Sequence, residues 1–238
     1  WQGFFSFGYN QLVMQRLVVF SGAGMSAESG LKTFRDSGGL WEKYDINEVA
    51  TPEAWARNPE LVLDFYNQRR EQIISAEPNA AHKALVELES KYDVCIVTQN
   101  IDNLHERAGS KRVLHLHGEI SKAKSEGNDD VVVEKLGPIK IGDVAPDGHQ
   151  LRPHVVWFGE PVPEYEKALK IISEADILIV VGTSLNVYPA AGLVHYVPEH
   201  CEVHLVDPND AVRSRFNSVN HLKKPAVEGI PELIKIIL

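Results

Sequence analysis

Short runs of consecutive apolar residues punctuate the chain: Leu17-Val18-Val19-Phe20, Val94-Cys95-Ile96-Val97 within Tyr92–Val97, Ile177–Val181, and the strand-like Glu202–Val206. Each is too short for a buried helix and ends abruptly in small or polar residues, as a buried strand does. Between them lie helical patterns. Asn58-Pro59-Glu60 offers a cap, a first-turn proline and an acid, and predicts a helix to about Ile74. A second helix opens at Pro78-Asn79-Ala80, with Ala84, Leu85 and Leu88 as its apolar stripe. Further helices are expected over Glu164–Ala175, from near Pro189-Ala190-Ala191, and from Pro231 to the end. Strands alternating with helices predict an α/β fold with a doubly wound parallel sheet. Residues 120–150 break the rhythm. They are polar and rich in Gly and Pro, with strand-like runs only at Val131–Val133 and Ile139–Ile141, and read as a smaller inserted lobe.

The strand ends carry the candidate chemistry. After Phe20 comes Ser21-Gly22-Ala23-Gly24, then Ser26, Ala27, Ser29 and Gly30. Such a turn followed by a helix start lets a ligand approach the backbone and favours a phosphate. The spacing departs from the usual dinucleotide fingerprint: the third small position is Ala27, and no acid closes a second strand about 20 residues on. Val97 is followed by Thr98-Gln99-Asn100-Ile101-Asp102, a polar cluster of the kind that forms α/β ligand sites. Helix capping accounts for one of those residues and leaves two. In Val113–Glu119 the alternation puts His115 and His117 on one face. A histidine before Gly118 at a strand end serves either as a general base, with an unperturbed pKa near 6.5, or as a satisfied structural group. Tyr66 and Arg69, three apart on the predicted helix, project from one side. They read either as a packing pair or as a ligand pair. Arg35 sits in a loop between aromatics, Gly182-Thr183-Ser184 ends the Ile177–Val181 strand, and Asp207-Pro208-Asn209 ends the next.

Composition narrows the classes. With 24 basic and 33 acidic residues the net charge is −9 over 238 residues, which leaves no broad basic footprint for nucleic acid. The acidic surface suits basic substrates, and solubility accounts for it equally. Two cysteines, Cys95 and Cys201, form no disulfide framework and fit a reducing cytoplasm. No apolar run reaches the roughly 18 residues that span a bilayer. Residues 1–10 lack the charged and apolar regions of a signal peptide and are set aside as an extension.

Taken together, Gly22–Gly30, Thr33-Phe34-Arg35-Asp36, Gln99-Asn100-Ile101-Asp102, His117-Gly118-Glu119, Phe158-Gly159-Glu160 and Gly182-Thr183-Ser184 resemble the sirtuins, the NAD-dependent protein-lysine deacylases, in the family's order from Leu17 to Leu238. The likeness is strongest to the bacterial, broad-deacylase type. It implies a large Rossmann-like NAD-binding lobe (11–35, 80–118 and 152–238) and a small lobe (36–79 and 119–151), with both substrates entering between them. By that resemblance the cofactor is held by Gly22, Ala23, Gly24, Ser26, Ala27, Thr33, Phe34, Arg35, Gln99, Asn100, Ile101, Asp102, Gly182, Thr183, Ser184, Asp207 and Ala226. Asp207 stands where the family usually has Asn for the adenosine ribose. His117 and Asn100 are the implied catalytic residues. The implied reaction displaces nicotinamide by the acyl oxygen of an acyl-lysine. His117 then serves as general base on a ribose hydroxyl, and water releases free lysine and O-acyl-ADP-ribose. The substrate peptide adds as a strand between Val156–Glu160 and Leu185–Tyr188, touching Val156, Phe158, Gly159, Glu160, Leu185 and Val187.

Two further expectations follow from the resemblance. Desuccinylating members carry Tyr-x-x-Arg on this helix, so Tyr66 and Arg69 imply activity on succinyl- or malonyl-lysine as well as acetyl-lysine. Most sirtuins hold a structural zinc by two Cys pairs just after His-Gly-Glu. Residues 120–150 contain no cysteine, and His149 with scattered acids is no closed tetrahedral set, so a zinc-free small lobe is expected, held by strand pairing and by apolar contacts of the two short runs. The expected protein is a cytoplasmic monomer acting on acyl-lysine proteins, without nucleic-acid or membrane partners. ADP-ribosyl transfer to protein, or a non-catalytic NAD- or ADP-ribose-binding module, are the competing readings.

Overall fold

The apolar runs pair as a six-stranded parallel sheet in a computed structural model that describes residues 14–31 and 43–238. Its strands are β1 (Arg16–Ser21), β2 (Asp93–Thr98) and β3 (Val113–His115), with β7 (Ile177–Val181), β8 (Glu202–Val206) and β9 (Asn220–Leu222). The order is β3-β2-β1-β7-β8-β9. β1 has β2 on one side and β7 on the other, both parallel. The chain therefore winds outward one way from β1 and the other way from β7. A crevice opens at such a switch point, beyond the strands' carboxyl ends.

Alternation along β1 explains the double winding. Leu17 and Val19 face one layer, with Ala81 and Leu85 of the helix Ala80–Glu87 and Ile230 and Leu233 of the helix Ala226–Ile237. Val18 and Phe20 face the other, with Ala168 and Ile172 of the helix Tyr165–Ser173. Burying both faces makes each such side chain worth about 1.5–3 kcal/mol, so nothing polar interrupts the run.

The second sheet is antiparallel, ordered β5-β4-β6, from β4 (Gly118–Ser125), β5 (Val132–Glu134) and β6 (Leu151–Val155). β6, grouped on sequence with the large lobe, pairs here with β4. The helix Pro59–Ser75 covers this sheet: Val62, Phe65 and Ile73 pack with Ile120, Ala123 and Leu151. Its cap is as expected, Asn58 accepting from Leu61 N–H at 3.1 Å. Arg70, only 1% exposed, donates from Nε to the Ile120 carbonyl at 2.9 Å and joins helix to sheet.

Several elements depart from expectation. Ile139–Ile141 forms no strand. Ile139 is buried and locked by Asn67, which donates to its carbonyl and accepts from its N–H, while Ile141 is 52% exposed. A single bridge, Val144 to Gln150, closes that loop. The Gly-rich turn leads into two 3₁₀ turns, Ala23–Met25 and Ala27–Ser29, instead of a regular helix, because Gly30 ends the second in the left-handed region. The segment after Pro189 is likewise 3₁₀, over Ala190–Tyr196. The last helix starts at Ala226, five residues before Pro231, because the stripe Ala226, Ile230, Leu233 and Ile234 is buried on both sides of the proline. Among the described residues no helix is long and apolar enough to cross a membrane.

Candidate active site

A cleft of about 640 Å³ opens beyond the carboxyl ends of β1 and β7 and runs to the second sheet. Its floor depends on close backbone approach. Gly24 N–H donates to the Gly182 carbonyl at 2.8 Å. A Cβ on Gly182 would stand 2.3 Å from Met25 N, and Gly182 has φ +60°. No other residue type fits between these two turns. Small side chains at Gly22, Ala23, Gly24, Ser26 and Ala27, with Met25 turned into the core, leave the backbone open to a ligand.

The end of β2 supplies the polar wall. Asn100 donates from Nδ2 to the Gly22 carbonyl at 3.1 Å and to Ser26 Oγ at 3.2 Å. Ser26 in turn donates to Asp102 Oδ2 at 3.0 Å, and Asp102 Oδ1 caps Leu104 N–H. Gln99 Nε2 donates to Thr183 Oγ1 at 3.0 Å, bridging to β7's end. Burial pushes the Asp102 carboxyl above the ordinary carboxylate range, against the pull of Leu104 N–H, Ser26 and Arg69.

His117 stands in the two-residue turn between β3 and β4, where the two sheets meet. Its Nδ1 lies 2.9 Å from the Gln99 carbonyl. A carbonyl only accepts, so Nδ1 carries the proton and Nε2 is left as a basic acceptor. Burial holds its pKa below 6.5, opposed by the Gln99 bond. The following Gly118 has φ +77°, and a Cβ there would meet the His154 carbonyl at 2.2 Å. Glycine at 118 is thus a steric requirement of bringing β4 against β6. Val156 N–H donates to the His117 carbonyl at 3.0 Å and fixes its main chain.

Tyr66 and Arg69 both line the cleft from the helix Pro59–Ser75, together with Trp157 and Phe158. Burial raises the Tyr66 pKa, so it stays a neutral phenol. Burial lowers that of Arg69, countered by Asp102 and Tyr66.

The same cleft gathers Gly22, Ala23, Gly24, Ser26, Ala27, Gln99, Asn100, Ile101, Asp102, His117, Gly182, Thr183, Ser184, Asp207 and Ala226, with Tyr66, Arg69, Val156, Phe158, Gly159, Glu160 and Val187. Thr33, Phe34 and Arg35 lie outside the described residues. Leu185 does not line the cleft: the residue is 1% exposed, packs in the core layer with Phe20, and spends its N–H on Thr183 Oγ1 at 3.2 Å. Glu160 lines it with its carboxylate already engaged, accepting from Arg152 at 2.7 and 3.1 Å and from Trp157 N–H at 2.8 Å. Trp157 escaped the sequence reading. It sits 6.4 Å from Tyr66, centroid to centroid, with the Arg152 guanidinium stacked 3.3 Å over its ring. An aromatic flanked by Val156 and Phe158 was the available signal.

The Sir2 family model matches residues 22–189. The chain belongs to the Sir2 family. A Bacteroides thetaiotaomicron relative named NAD-dependent protein deacylase is 52% identical over 231 residues, covering 94% of this chain and 99% of the relative. A solved Sir2 homologue in complex with NAD is 38% identical, with TM-score 0.84, covering 94% and 90% of the two chains. A more distant Sir2 structure, 28% identical with TM-score 0.76 and covering 94% of each chain, holds a deacetylated peptide and 3′-O-acetyl ADP-ribose. Zinc is another matter. Cys95 and Cys201 are both free and lie outside 120–150. Among the described residues no group of three or more His, Cys, Asp or Glu could hold a metal ion.

Proposed function

We propose that this chain is an NAD-dependent protein-lysine deacylase acting on acetyl-lysine and on acidic acyl-lysines such as succinyl-lysine. The observation that carries the reading is the His117 ring, its Nδ1 committed to Gln99 and its Nε2 left basic inside a cleft of NAD-binding composition. Bound NAD supplies a labile bond to nicotinamide and an ADP-ribose acceptor for the acyl group. The diphosphate end belongs to Gly22–Ala27 with Ser184, the nicotinamide and its ribose to Gln99, Asn100, Ile101 and Asp102, the adenosine end to Asp207 and Ala226. His117 takes a ribose hydroxyl proton, for which the neutral ring is the required form. Val156 and Phe158 wall the acyl-lysine channel, and the Gly159 and Val187 segments flank the peptide. Both free cysteines fit the cytoplasm.

The test is mass spectrometry of acetyl- and succinyl-lysine peptides with and without NAD, following nicotinamide. NAD-dependent loss of both acyl groups, matched by nicotinamide release, is expected. Nicotinamide release without deacylation would replace the reading with ADP-ribosyl transfer or glycohydrolysis, and no turnover would leave a binding module.

The small lobe, in this reading, folds without zinc. Polar staples hold the loops within 120–150: Ser125 Oγ donates to Asp147 Oδ2 at 2.7 Å, Lys124 Nζ to Asp129 at 2.5 Å, and Trp55 Nε1 of a neighbouring helix to Glu126 at 3.0 Å. Elemental analysis of the purified protein is expected to find far less than one zinc per chain, with melting temperature unmoved by chelator. A stoichiometric zinc would overturn this.

A further inference from the structure

His115, the last residue of β3, lies two residues before His117 but makes a different pair of bonds. The residue is 8% exposed. Nδ1 lies 3.0 Å from the Asn100 carbonyl, and Nε2 lies 2.8 Å from Glu106 Oε1. Both partners accept, so both ring nitrogens must donate, and the ring is an imidazolium paired to a carboxylate. The consecutive carbonyls of Gln99 and Asn100 thus each receive an Nδ1–H, from the neutral His117 ring on the first and the charged His115 ring on the second. Asn100 in turn reaches Gly22 and Ser26, and Ser26 reaches Asp102.

The surroundings favour that charge. Burial alone would lower the His115 pKa, yet Glu106, with the Asn100 carbonyl and Glu119, raises it overall. Glu106 is held below the ordinary carboxylate range: burial pushes it up, but the His115 bond and charge pull it down further. Two other histidines face the ring. Burial drives His105 well below 6.5 and lowers His154, so neither competes as a cation at neutral pH. Asp102, a third facing group, reaches it across the wall, and Lys122 is occupied by Glu119 at 2.5 Å.

We infer that Glu106 and the buried His115 form a positioning pair for the nicotinamide end of the cleft, holding the Asn100 carbonyl and through it the Asn100–Ser26–Asp102 wall. For its ligand this rests on the NAD reading above. Neither residue touches the reacting atoms. Without the Glu106 charge, a neutral His115 keeps one N–H, its bond to the Asn100 carbonyl loses its charge assistance, and the wall is held less firmly.

Two measurements on the full chain decide it. In ¹⁵N NMR near pH 6.5, both His115 ring nitrogens are expected in the protonated range, while His117 shows one protonated and one bare nitrogen. Glu106 is partly exposed, so Glu106→Gln is expected to fold with little loss of melting temperature. Calorimetry without acyl peptide is then expected to show NAD binding weakened about tenfold, the loss of roughly one charge-assisted hydrogen bond, with ADP-ribose affinity changed by less than about twofold. Glu106→Asp, which keeps a carboxylate, is expected to recover part of the NAD affinity. A neutral His115 ring would overturn the pair, as would equal losses for NAD and ADP-ribose, or no loss for either. A wild type that binds NAD but does not deacylate would defeat the proposed function and leave this inference to be judged on the binding ratio.

Discussion

Replacing His117 with alanine is expected to lower NAD-dependent deacylation by about 10²–10⁴-fold, the usual contribution of a positioned general base, while ADP-ribose binding stays near the wild-type level. The separation follows from where the ring sits. Its one clear bond is to the Gln99 carbonyl, and the ADP-ribose contacts assigned to Gly22–Ala27 and Gly182–Ser184 lie on other turns. The ring's protonation gives the pH profile its sign. Deacylation needs the neutral form, and burial places the folded pKa below 6.5. Activity is therefore expected to be flat through neutral pH and to fall as pH drops through that lowered value. Measuring kcat/KM for an acyl peptide against pH checks it, with ADP-ribose binding as the control. An acid limb above 6.5 would assign the base to another group.

The strands were legible in the sequence because burial on both faces forbids polar interruption. Leu17–Phe20 and Ile177–Val181 could be little else, and β7 has the expected bounds. β9 was missed for the opposite reason: an edge strand of three residues, Asn220–Leu222, has no continuous apolar run to announce it. Pro231 misled because proline at a first turn is a sound start signal, yet an amphipathic stripe continuing on both sides outweighs one lost hydrogen bond. The short helix Pro52–Arg57 had a signal that went unused, Thr51 capping Ala54 N–H at 3.0 Å with Pro next in line.

The site divides in the same way. Strand-end position marks Gln99, Asn100, Asp102 and Thr183, since polar residues there have few structural uses. Nothing in Leu114-His115-Leu116-His117 separates the two rings. Alternation puts both on one face, and their chemistry is decided by partners from elsewhere, a bare carbonyl for His117 and a carbonyl plus Glu106 for His115. Glu160 shows the reverse. Its place in a Phe-Gly-Glu motif pointed to substrate, and the carboxylate is spent on Arg152 and the Trp157 backbone.

Acyl selectivity should respond most strongly at Arg69. A succinyl group brings a carboxylate into the channel, and the only way to bury it cheaply is to pair it. Arg69 and Tyr66 stand on one helix face and line the cleft with Trp157 and Phe158. The phenol, its pKa raised by burial, stays protonated and can donate. The guanidinium remains a cation at any working pH, and Asp102 across the cleft helps keep it so. One hydrogen bond to a charged partner is worth about 1.5–3 kcal/mol, so Arg69→Met is expected to reduce kcat/KM for succinyl-lysine by about tenfold to a hundredfold. Acetyl-lysine carries no carboxylate and should lose less than about threefold by the same reasoning. Tyr66→Phe removes the donor but keeps the ring against Trp157, and should give a smaller shift in the same direction. The measurement is the succinyl-to-acetyl ratio for each variant on one peptide sequence. A ratio unchanged in Arg69→Met would remove the acidic-acyl part of the reading and leave deacetylation standing. An equal loss on both substrates would instead place Arg69 in support of the Asp102 wall, where its charge already reaches.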